Sequence, residues 1–432
     1  MTGAAGIRHY SEAAVAHMVR STPGSTRPLL PLHFPAMTNR ILVALIAGLV
    51  LTASTARAEA PPEPGFDSSK LAAVPEAMKS AIKSNEIAGA VTLVATKDKI
   101  VQLEAVGQAD VANHVAMKPD ALFWIASMTK PVTAVSILML QEEGKLSIDD
   151  PVGKYIAELA HQKGPDGKPA KVTLKNLLTH TSGMLLEAPA AELKDCKTLA
   201  DLIPIYAKAP LRFEPGTKWE YCQSGINTLG RIVEVVSGES LPDFCQKRIF
   251  GPLGLKDTTW YPTEEQAARL ARTYKLENGD LVESPIGFMH GKPVTAHDRY
   301  PAANGGLFST ASDYGRFARM LLNEGSLDGH QYLKPETVRT MRTIQTGELK
   351  TGFTPGDGWG LGVCVVREPQ GVTAMLSPGT FGHGGAYGTQ AWIDPAKGIV
   401  YILMVQRANF PNSDASPVRQ VFQQAVADAI AK

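Results

Sequence analysis

The sequence predicts an α/β fold in which one antiparallel sheet, flanked by helices, is built from both chain ends and carries a mostly helical insertion. Two observations support this prediction. Apolar stretches of strand length occur early and late in the chain, and helical patterns with Pro- and Gly-rich loops lie between them. We therefore expect residues 59–150 and 304–432 to form the sheet domain and residues 151–303 the insertion.

The first half of the sheet domain is predicted to contain two helices and a hairpin. Residues 69–83 have the spacing of an amphipathic helix, and residues 90–96 and 100–106 form two apolar strands around a polar turn. A further helix begins near Ser127 and ends at Gly144, a residue suited to the left-handed end of a helix. Since its interior is apolar on almost every side, we expect it to be buried.

The remaining elements follow the same logic. Helical spacing recurs at 225–236 and 312–323, a small hairpin is centred on residues 278–279, and the closing helix has Ser416 as its N-cap and Pro417 at its first position. Four late strands are predicted at residues 360–366, 372–376, 388–393 and 399–405.

Charge excludes one class of partner. The chain has 432 residues, with 43 Lys and Arg against 42 Asp and Glu, and it contains no dense basic run. Since nucleic-acid affinity comes largely from clustered positive charge, we expect no nucleic-acid partner.

Residues 37–58 have the three parts of a secretory signal peptide. Arg40 supplies the positive charge, residues 41–51 form the apolar region, and residues 56–58 have the A-x-A pattern of a cleavage site. The apolar run is shorter than the about 20 residues of a membrane-spanning helix, although an uncleaved anchor is the alternative interpretation.

Export has consequences for the mature protein. We interpret residues 1–36 as an upstream extension assigned in error and expect the mature chain to begin near Glu59, in the periplasm or outside the cell, without stable membrane insertion. Disulfides form in such compartments, but the wide spacing of the cysteines indicates mostly free, buried thiols, with room for one bridge. The cysteines are Cys196, Cys222, Cys245 and Cys364.

Ser127 and Lys130 form an S-x-x-K pattern, which places both side chains on one face of a helix. A serine hydroxyl needs a base to become a good nucleophile, and a lysine serves if burial lowers its pKa. The pattern alone is common, and Ser80 with Lys83 repeats it among charged neighbours typical of a solvated helix. Ser127 instead lies between apolar residues 123–126 and an apolar helix, which favours it as the nucleophile.

Longer motifs around this pattern occur in a recognisable order. They include LFWIASMTKPVTAVSILMLQEEG, VTLKNLLTHTSG, FEPGTKWEYCQSGINTLG, GGLFSTASDYGRFARMLLNEG and FGHGGAYGTQAWIDP. Over residues 69–432 the chain resembles the serine hydrolases related to class C β-lactamases and penicillin-binding DD-peptidases, a group that includes family VIII esterases. The resemblance implies their α/β fold, with the active site in the cleft beside the helical insertion.

The second motif of that family is Tyr-x-Asn, and here it is Tyr221-Cys222-Gln223. The resemblance implies that Tyr221 passes a proton between Ser127 and the leaving group, held near the phenolate form by Lys130. Gln223 keeps the amide that contacts a substrate carbonyl, with one methylene more than the usual Asn.

The third motif, Lys-Thr-Gly in β-lactamases, is here His383-Gly384-Gly385. Glycines at such a strand edge let a substrate backbone approach closely. The family pattern implies that the backbone N–H groups of Ser127 and Ala386 form the oxyanion hole.

The sequence contains no pattern that predicts metal or cofactor chemistry. The ten histidines are scattered, so we expect no catalytic metal and no cofactor. His180, in the LLTHTSG motif, matches a family position with a structural role and is not included among the site residues.

These residues together predict an exported serine hydrolase that forms an acyl-enzyme on Ser127. With His383 in place of lysine, the expected substrates are small esters, amides or peptides, of the esterase or D-amino-acid peptidase type, with β-lactams as a side activity. Two alternatives stay open. One is a dedicated class C-like β-lactamase, and the other is a penicillin-binding sensor that is acylated without turnover.

The two S-x-x-K patterns allow a direct test. We predict that a fluorophosphonate probe labels Ser127 alone, that Ser127→Ala abolishes turnover, and that Ser80→Ala leaves turnover near normal, because only Ser127 has an apolar setting for its lysine. Peptide mass mapping identifies the labelled residue. Label on Ser80 or Ser182 would show that the nucleophile is wrongly assigned.

Overall fold

The two ends of the described chain meet in one sheet. The computed structural model of the protein describes residues 64–431. The strands are β1 Gly89–Ala95, β2 Ile100–Asp110, β3 Val115–Ala116, β4 Phe123–Trp124, β5 Tyr274–Glu277, β6 Asp280–Glu283, β7 Phe308–Ser309, β8 Ser326–Leu327, β9 His330–Gln331, β10 Asp357–Trp359, β11 Cys364–Val366, β12 Phe381–Gly384, β13 Gln390–Asp394 and β14 Ile399–Met404. Eight of them form an antiparallel sheet in the order β10-β11-β12-β13-β14-β1-β2-β3. This confirms the predicted fold class.

Helices cover the sheet and make up most of the middle of the chain. They are α1 Ser68–Leu71, α2 Ala73–Lys83, α3 Thr129–Glu142, α4 Leu174–Leu178, α5 Ala190–Leu193, α6 Leu199–Lys208, α7 Gln223–Ser237, α8 Leu241–Cys245, α9 Gly251–Leu253, α10 Glu264–Ala267, α11 Ala311–Leu322, α12 Pro335–Met341 and α13 Pro417–Asp428. The N-cap that the sequence predicts for the last helix is confirmed, since the Ser416 hydroxyl accepts a hydrogen bond from the Arg419 N–H.

The central strands lie between two apolar layers. In β1, Val91 and Leu93 belong to the layer that contains α3 and α11, whereas Ala90 and Val94 belong to the layer that contains α2 and α13. Successive side chains of a strand point to opposite faces, so a strand covered on both faces must be apolar throughout. This explains why β1 has only one polar side chain, Thr92, which is buried and accepts a hydrogen bond from Gln102, although the sheet is antiparallel.

Helix α3 lies between the sheet and helices from the middle of the chain. All residues from Thr129 to Leu140 are buried, which confirms the expectation from its apolar sequence. The helix contacts β12 on one side and α7 and α8 on the other. Any polar group on its first turn is therefore removed from water.

Most predicted elements are confirmed within a few residues, but two of the late strands are wrong. Residues 360–363 form the turn between β10 and β11, in which Gly362 has a φ of +73° that favours a residue without a Cβ, so only residues 364–366 of that predicted strand belong to the sheet. Residues 372–376 were predicted as a strand, but the 3-10 turn Gly371–Thr373 lies there, outside the sheet. A short buried apolar run has the same pattern in a strand and in a turn. The helix predicted at 69–83 is divided into α1 and α2.

Some sequence-based expectations lie outside the described residues. These are the signal peptide at residues 37–58 and the extension at residues 1–36. Within residues 64–431, no helix is long and apolar enough to cross a membrane. The boundaries of the sheet domain and the insertion stay predictions. All four cysteines are buried and unpaired, as the spacing indicates.

Helix α13 offers a test of the outer layer. Phe422 is 0% exposed and packs in the layer between α13 and the sheet, whereas its neighbour Val421 is 43% exposed. We predict that Phe422→Ala lowers the free energy of unfolding by about 3–5 kcal/mol and that Val421→Ala changes it by less than about 0.5 kcal/mol. Urea denaturation measures both. Equal losses in the two variants would contradict this packing.

Candidate active site

Ser127 lies on a strained turn immediately before α3. The turn is the 3-10 segment Ala126–Met128, so Ser127 precedes the α-helix instead of beginning it, which corrects the predicted start of this helix. Ala126 has a φ of +45°, in the left-handed region that residues with a Cβ avoid. The Thr129 hydroxyl donates to the Ala126 carbonyl oxygen at 2.7 Å and holds this conformation. The turn leaves the Ser127 side chain partly exposed at the end of a buried helix.

Lys130 is buried on the first turn of α3, directly behind Ser127. Its Nζ lies 3.0 Å from Ser127 Oγ and donates to the Asn304 carbonyl oxygen at 2.6 Å. Burial lowers the pKa of this amine well below its usual 10.5, although the charges of Glu187 and Asp414 partly oppose the effect. Since burial favours the uncharged amine, Lys130 has the position of a general base beside Ser127 and a pKa shifted in the direction that a base needs.

Tyr221 lies against Lys130, just before α7. The Lys130 Nζ is 4.6 Å from the centre of the phenol ring, and the Tyr221 hydroxyl is 3.3 Å from His383 Nε2. Desolvation raises the pKa of Tyr221 well above 10.0, and the hydrogen bond with Ser127 only partly opposes this. The expectation of a near-phenolate Tyr221 is therefore wrong. The phenol keeps its proton because burial favours its uncharged form.

His383, on β12, is buried and neutral. Its Nδ1 lies 2.6 Å from the Gly384 carbonyl oxygen, and since a carbonyl only accepts, Nδ1 carries the hydrogen. Nε2 is then the acceptor, and the Tyr221 hydroxyl donates to it. Burial, followed by the charge of Lys130, lowers the pKa of His383 from 6.5 to about 3. Its imidazole adds no positive charge near neutral pH.

The glycines after His383 are required by the packing of the protein itself. A Cβ on Gly384 would come within 2.0 Å of Asp414 Oδ1, and a Cβ on Gly385 within 2.7 Å of the Ile125 carbonyl oxygen. The absent side chains thus point at protein atoms, whereas the sequence analysis attributed the glycines to the approach of a substrate. Gly385 brings the end of β12 against the segment before Ser127. Ala386 follows, exposed in the turn, and its role in an oxyanion hole stays a prediction.

Gln223 is linked to Lys130 through a residue that the sequence analysis did not select, Asn304. Gln223 Oε1 accepts a hydrogen bond from Asn304 Nδ2 at 3.0 Å, and the carbonyl oxygen of the same Asn304 holds Lys130. Asn304 directly precedes the GGLFST motif, and this position is the signal that identifies it in the sequence. The structure therefore brings Gln223 close to the other site residues, but with its amide oxygen already bonded.

His180 packs against Tyr221. It is buried, its Nδ1 accepts a hydrogen bond from the Cys222 N–H at 3.1 Å, and its ring centre is 4.6 Å from that of Tyr221. Burial and the charge of Lys130 lower its pKa, so it is neutral. This geometry agrees with a structural role. Aromatic and imidazole rings continue around Tyr221 as a contiguous cluster of His180, Trp219, Phe353, Trp359 and His383.

Ser80 and Lys83 lie outside this arrangement. Both are exposed on α2, so this second S-x-x-K pattern has no buried amine. A cavity of about 570 Å³ is also separate from the site, since none of the candidate residues lines it. Among residues 64–431, no group of three or more His, Cys, Asp or Glu is arranged to hold a metal ion.

Comparison with known proteins identifies the family. The sequence matches the Beta-lactamase family model over residues 73–425. The chain belongs to the beta-lactamase family. The resemblance noted from the motifs is thereby confirmed, and with it a family of serine hydrolases that includes esterases and penicillin-binding proteins.

Individual relatives cover most of the chain. Esterase EstB of Burkholderia gladioli is 31% identical over 375 residues, which are 79% of this chain and 92% of the esterase. Penicillin-binding protein 4 of Amycolatopsis lactamdurans is 32% identical over 296 residues, 67% of this chain and 73% of that protein. The solved structure of EstCE1, a hydrolase with promiscuous acyltransferase activity, has a TM-score of 0.71 at 25% identity and covers 83% of this chain and 98% of its own.

The neutral phenol of Tyr221 gives a test of the site. We predict that Tyr221→Phe lowers kcat by roughly 10²-fold or more, because it removes a positioned proton donor, while binding of an unreactive substrate analogue changes little. Tyr401→Phe is the control, since the Tyr401 hydroxyl is buried on β14 without a hydrogen-bond partner among the described residues. A loss of less than about threefold in Tyr221→Phe would mean that this tyrosine only packs.

Proposed function

We propose that this protein is an exported serine hydrolase that forms an acyl-enzyme on Ser127 and hydrolyses small esters or amides that carry no carboxylate. The observation that carries the proposal is the neutral His383, which lies where β-lactamases have a lysine. The name of the relative EstB, an esterase, supports the same substrate class.

The proposed reaction begins with proton transfer from Ser127 to Lys130. The buried neutral amine, 3.0 Å from Ser127 Oγ, takes the hydroxyl proton while the oxygen attacks the substrate carbonyl carbon. The backbone N–H groups of Ser127 and Ala386 are the proposed donors to the developing oxyanion, a contribution of about 3 kcal/mol per donor in other serine hydrolases. In this proposal Lys130 is the general base, and no histidine is needed in that role.

Tyr221 is the proposed proton donor to the leaving group. Its hydroxyl stays protonated because of its raised pKa, and the Lys130 amine beside it returns the proton taken from Ser127. The bond to the alcohol or amine then breaks, and the leaving group departs neutral. Water hydrolyses the acyl-enzyme by the reverse route: its proton passes through the Tyr221 hydroxyl to the Lys130 amine, and Lys130 returns a proton to Ser127 Oγ as the acyl group leaves.

His383 has two proposed effects on specificity. As a hydrogen-bond acceptor, its Nε2 orients the Tyr221 hydroxyl. As a neutral group with a pKa of about 3, it offers a substrate carboxylate no charge near neutral pH, whereas a lysine would. Penicillins carry such a carboxylate. The proposal therefore ranks neutral esters above β-lactams, and a dedicated β-lactamase or a penicillin sensor is the opposite outcome of the test below.

Export forms a separate part of the proposal. It rests on the signal-peptide pattern of residues 37–58, with a mature protein beginning near Glu59 in the periplasm or outside the cell.

Replacing His383 tests the substrate class. We predict that the unmodified enzyme has a higher kcat/KM on a neutral nitrophenyl ester than on a chromogenic cephalosporin. His383→Lys should shift the ratio toward the cephalosporin by roughly ten- to a hundredfold, because a charge-assisted hydrogen bond to its carboxylate is gained. His330→Lys adds the same charge on the exposed strand β9 and should leave the ratio unchanged.

Two outcomes would contradict the proposal. Equal losses on both substrates in His383→Lys would show that His383 belongs to the catalytic machinery instead of setting specificity. A stable acyl-enzyme of the unmodified protein with the cephalosporin, without turnover of the ester, would favour a penicillin sensor.

A further inference from the structure

Phe353 is an exposed aromatic residue at the candidate active site that the proposed reaction does not use. It is 38% exposed, and among residues 64–431 it is the only exposed Phe, Tyr or Trp. The other large apolar side chains that are exposed in this part of the chain are Ile100, Val115, Val235, Val282 and Val421. Single exposed aliphatic residues are common on protein surfaces, whereas an exposed ring beside reacting groups indicates a contact with a ligand.

The ring of Phe353 contacts the proposed proton donor directly. Its centre is 4.8 Å from that of Tyr221, at an interplanar angle of 74°, which is the edge-to-face arrangement of an aromatic pair. Tyr221 is itself partly exposed. Phe353 and His383 also line the same small cavity beside β12. Phe353 therefore lies against the groups that face the substrate, while part of its ring remains open to solvent.

The loop before β10 fixes Phe353 in this position. Gly352 has a φ of +80°, and a Cβ there would come within 2.6 Å of Asp357 Cβ. The Thr354 hydroxyl donates to the Asp357 carboxylate, and Asn412 Nδ2 donates to the Phe353 carbonyl oxygen at 2.7 Å. The backbone on both sides of Phe353 is thus tied to buried or distant residues, and the exposure of the ring is a fixed feature of the site.

Trp219 extends the same apolar surface. Its ring centre is 5.9 Å from that of Phe353 and 6.3 Å from that of Tyr221, and the residue is half-buried. Trp359, which is 0% exposed, packs behind Trp219 with ring centres 5.3 Å apart. Phe353 and Trp219 are therefore the solvent-facing part of a packed aromatic cluster. Such a surface suits an apolar or aromatic group.

The proposed reaction indicates which part of a substrate meets these rings. Tyr221 donates its proton to the leaving group, so the leaving oxygen or nitrogen must come within hydrogen-bond distance of the phenol hydroxyl. The atoms attached to that oxygen or nitrogen then lie beside Tyr221, where the ring of Phe353 is in contact with the phenol ring. The leaving group is thus the part of the substrate that reaches the aromatic surface.

We propose that Phe353 and Trp219 form a binding surface for the leaving group, and that the enzyme therefore prefers esters of aromatic alcohols to esters of small aliphatic alcohols. This inference rests on the proposed acyl-enzyme function and narrows its substrate class. An apolar surface favours a leaving group without a carboxylate, in agreement with the neutral His383.

The test compares two esters with the same acyl group. Benzyl acetate and ethyl acetate release alcohols of similar acidity, and benzyl acetate adds the aromatic ring. We expect the unmodified enzyme to have a higher kcat/KM on benzyl acetate, mainly through a lower KM. Phe353→Ala should lower the ratio of the two kcat/KM values by about five- to tenfold, because the ring loses an aromatic partner and buried apolar area.

The ratio separates substrate binding from an effect on Tyr221. Phe353 packs on Tyr221, so its removal also changes the setting of the proton donor, but that change acts on both esters and cancels in the ratio. Phe353→Tyr keeps the ring and should keep the ratio within about twofold. Val282→Ala is the control, since Val282 is 40% exposed on β6 and lies outside the apolar cluster that contains Tyr221. It should leave the ratio unchanged.

The outcomes distinguish this inference from the proposed function. Equal losses on both esters in Phe353→Ala would show that Phe353 only shields Tyr221, which would overturn the leaving-group surface and leave the hydrolase proposal intact. If neither ester is hydrolysed by the unmodified protein, the hydrolase proposal fails, and binding of benzyl alcohol then tests the surface alone. NMR of the benzyl ring protons measures that binding. Weaker binding in Phe353→Ala would support the surface, and equal binding would overturn it.

Discussion

The burial of one amine, Lys130, determines what the rest of the site can do. Helix α3 is enclosed by β12 on one side and by α7 and α8 on the other, so its first turn is shielded from water. The charged form of an amine loses hydration there, and the backbone carbonyl of Asn304 replaces only part of it. The uncharged amine is thereby favoured beside Ser127, and a strand of the sheet together with helices from the middle of the chain keeps water away from it.

The same desolvation acts on the two groups that face the lysine. The pKa of Tyr221 is raised and that of His383 is lowered, so burial favours the neutral form of all three groups. Proton transfer from Ser127 to Lys130 creates charge in this medium, which is why the proposed oxyanion donors are needed. The negative charge that influences the site comes from Glu187 and Asp414.

Much of the fold could be predicted because local pattern and global packing agree. The apolar runs of β1 and β14 and the polar turn before β2 require a covered, antiparallel sheet, and Ser416 with Pro417 marks the start of α13. The local sequence pattern gives a wrong prediction where a segment is buried by residues that are distant in the sequence. Residues 372–376 are apolar because other elements cover them, and not because they pair in the sheet. The local pattern also did not predict the 3-10 turn at Ser127. This turn depends on the Thr129 hydroxyl and on the left-handed conformation of Ala126.

The sequence by itself determined the order of the strands and helices, the family, and the candidates Ser127, Lys130, Tyr221 and His383, because motifs and periodicity are local properties of the chain. Only the tertiary structure decided the direction in which burial shifts the pKa of these groups and the contact of Asn304 with Lys130. A pKa depends on the water and the charges around a group, and residues distant in sequence set both. The phenol of Tyr221 is neutral for this reason, although its motif indicated a phenolate.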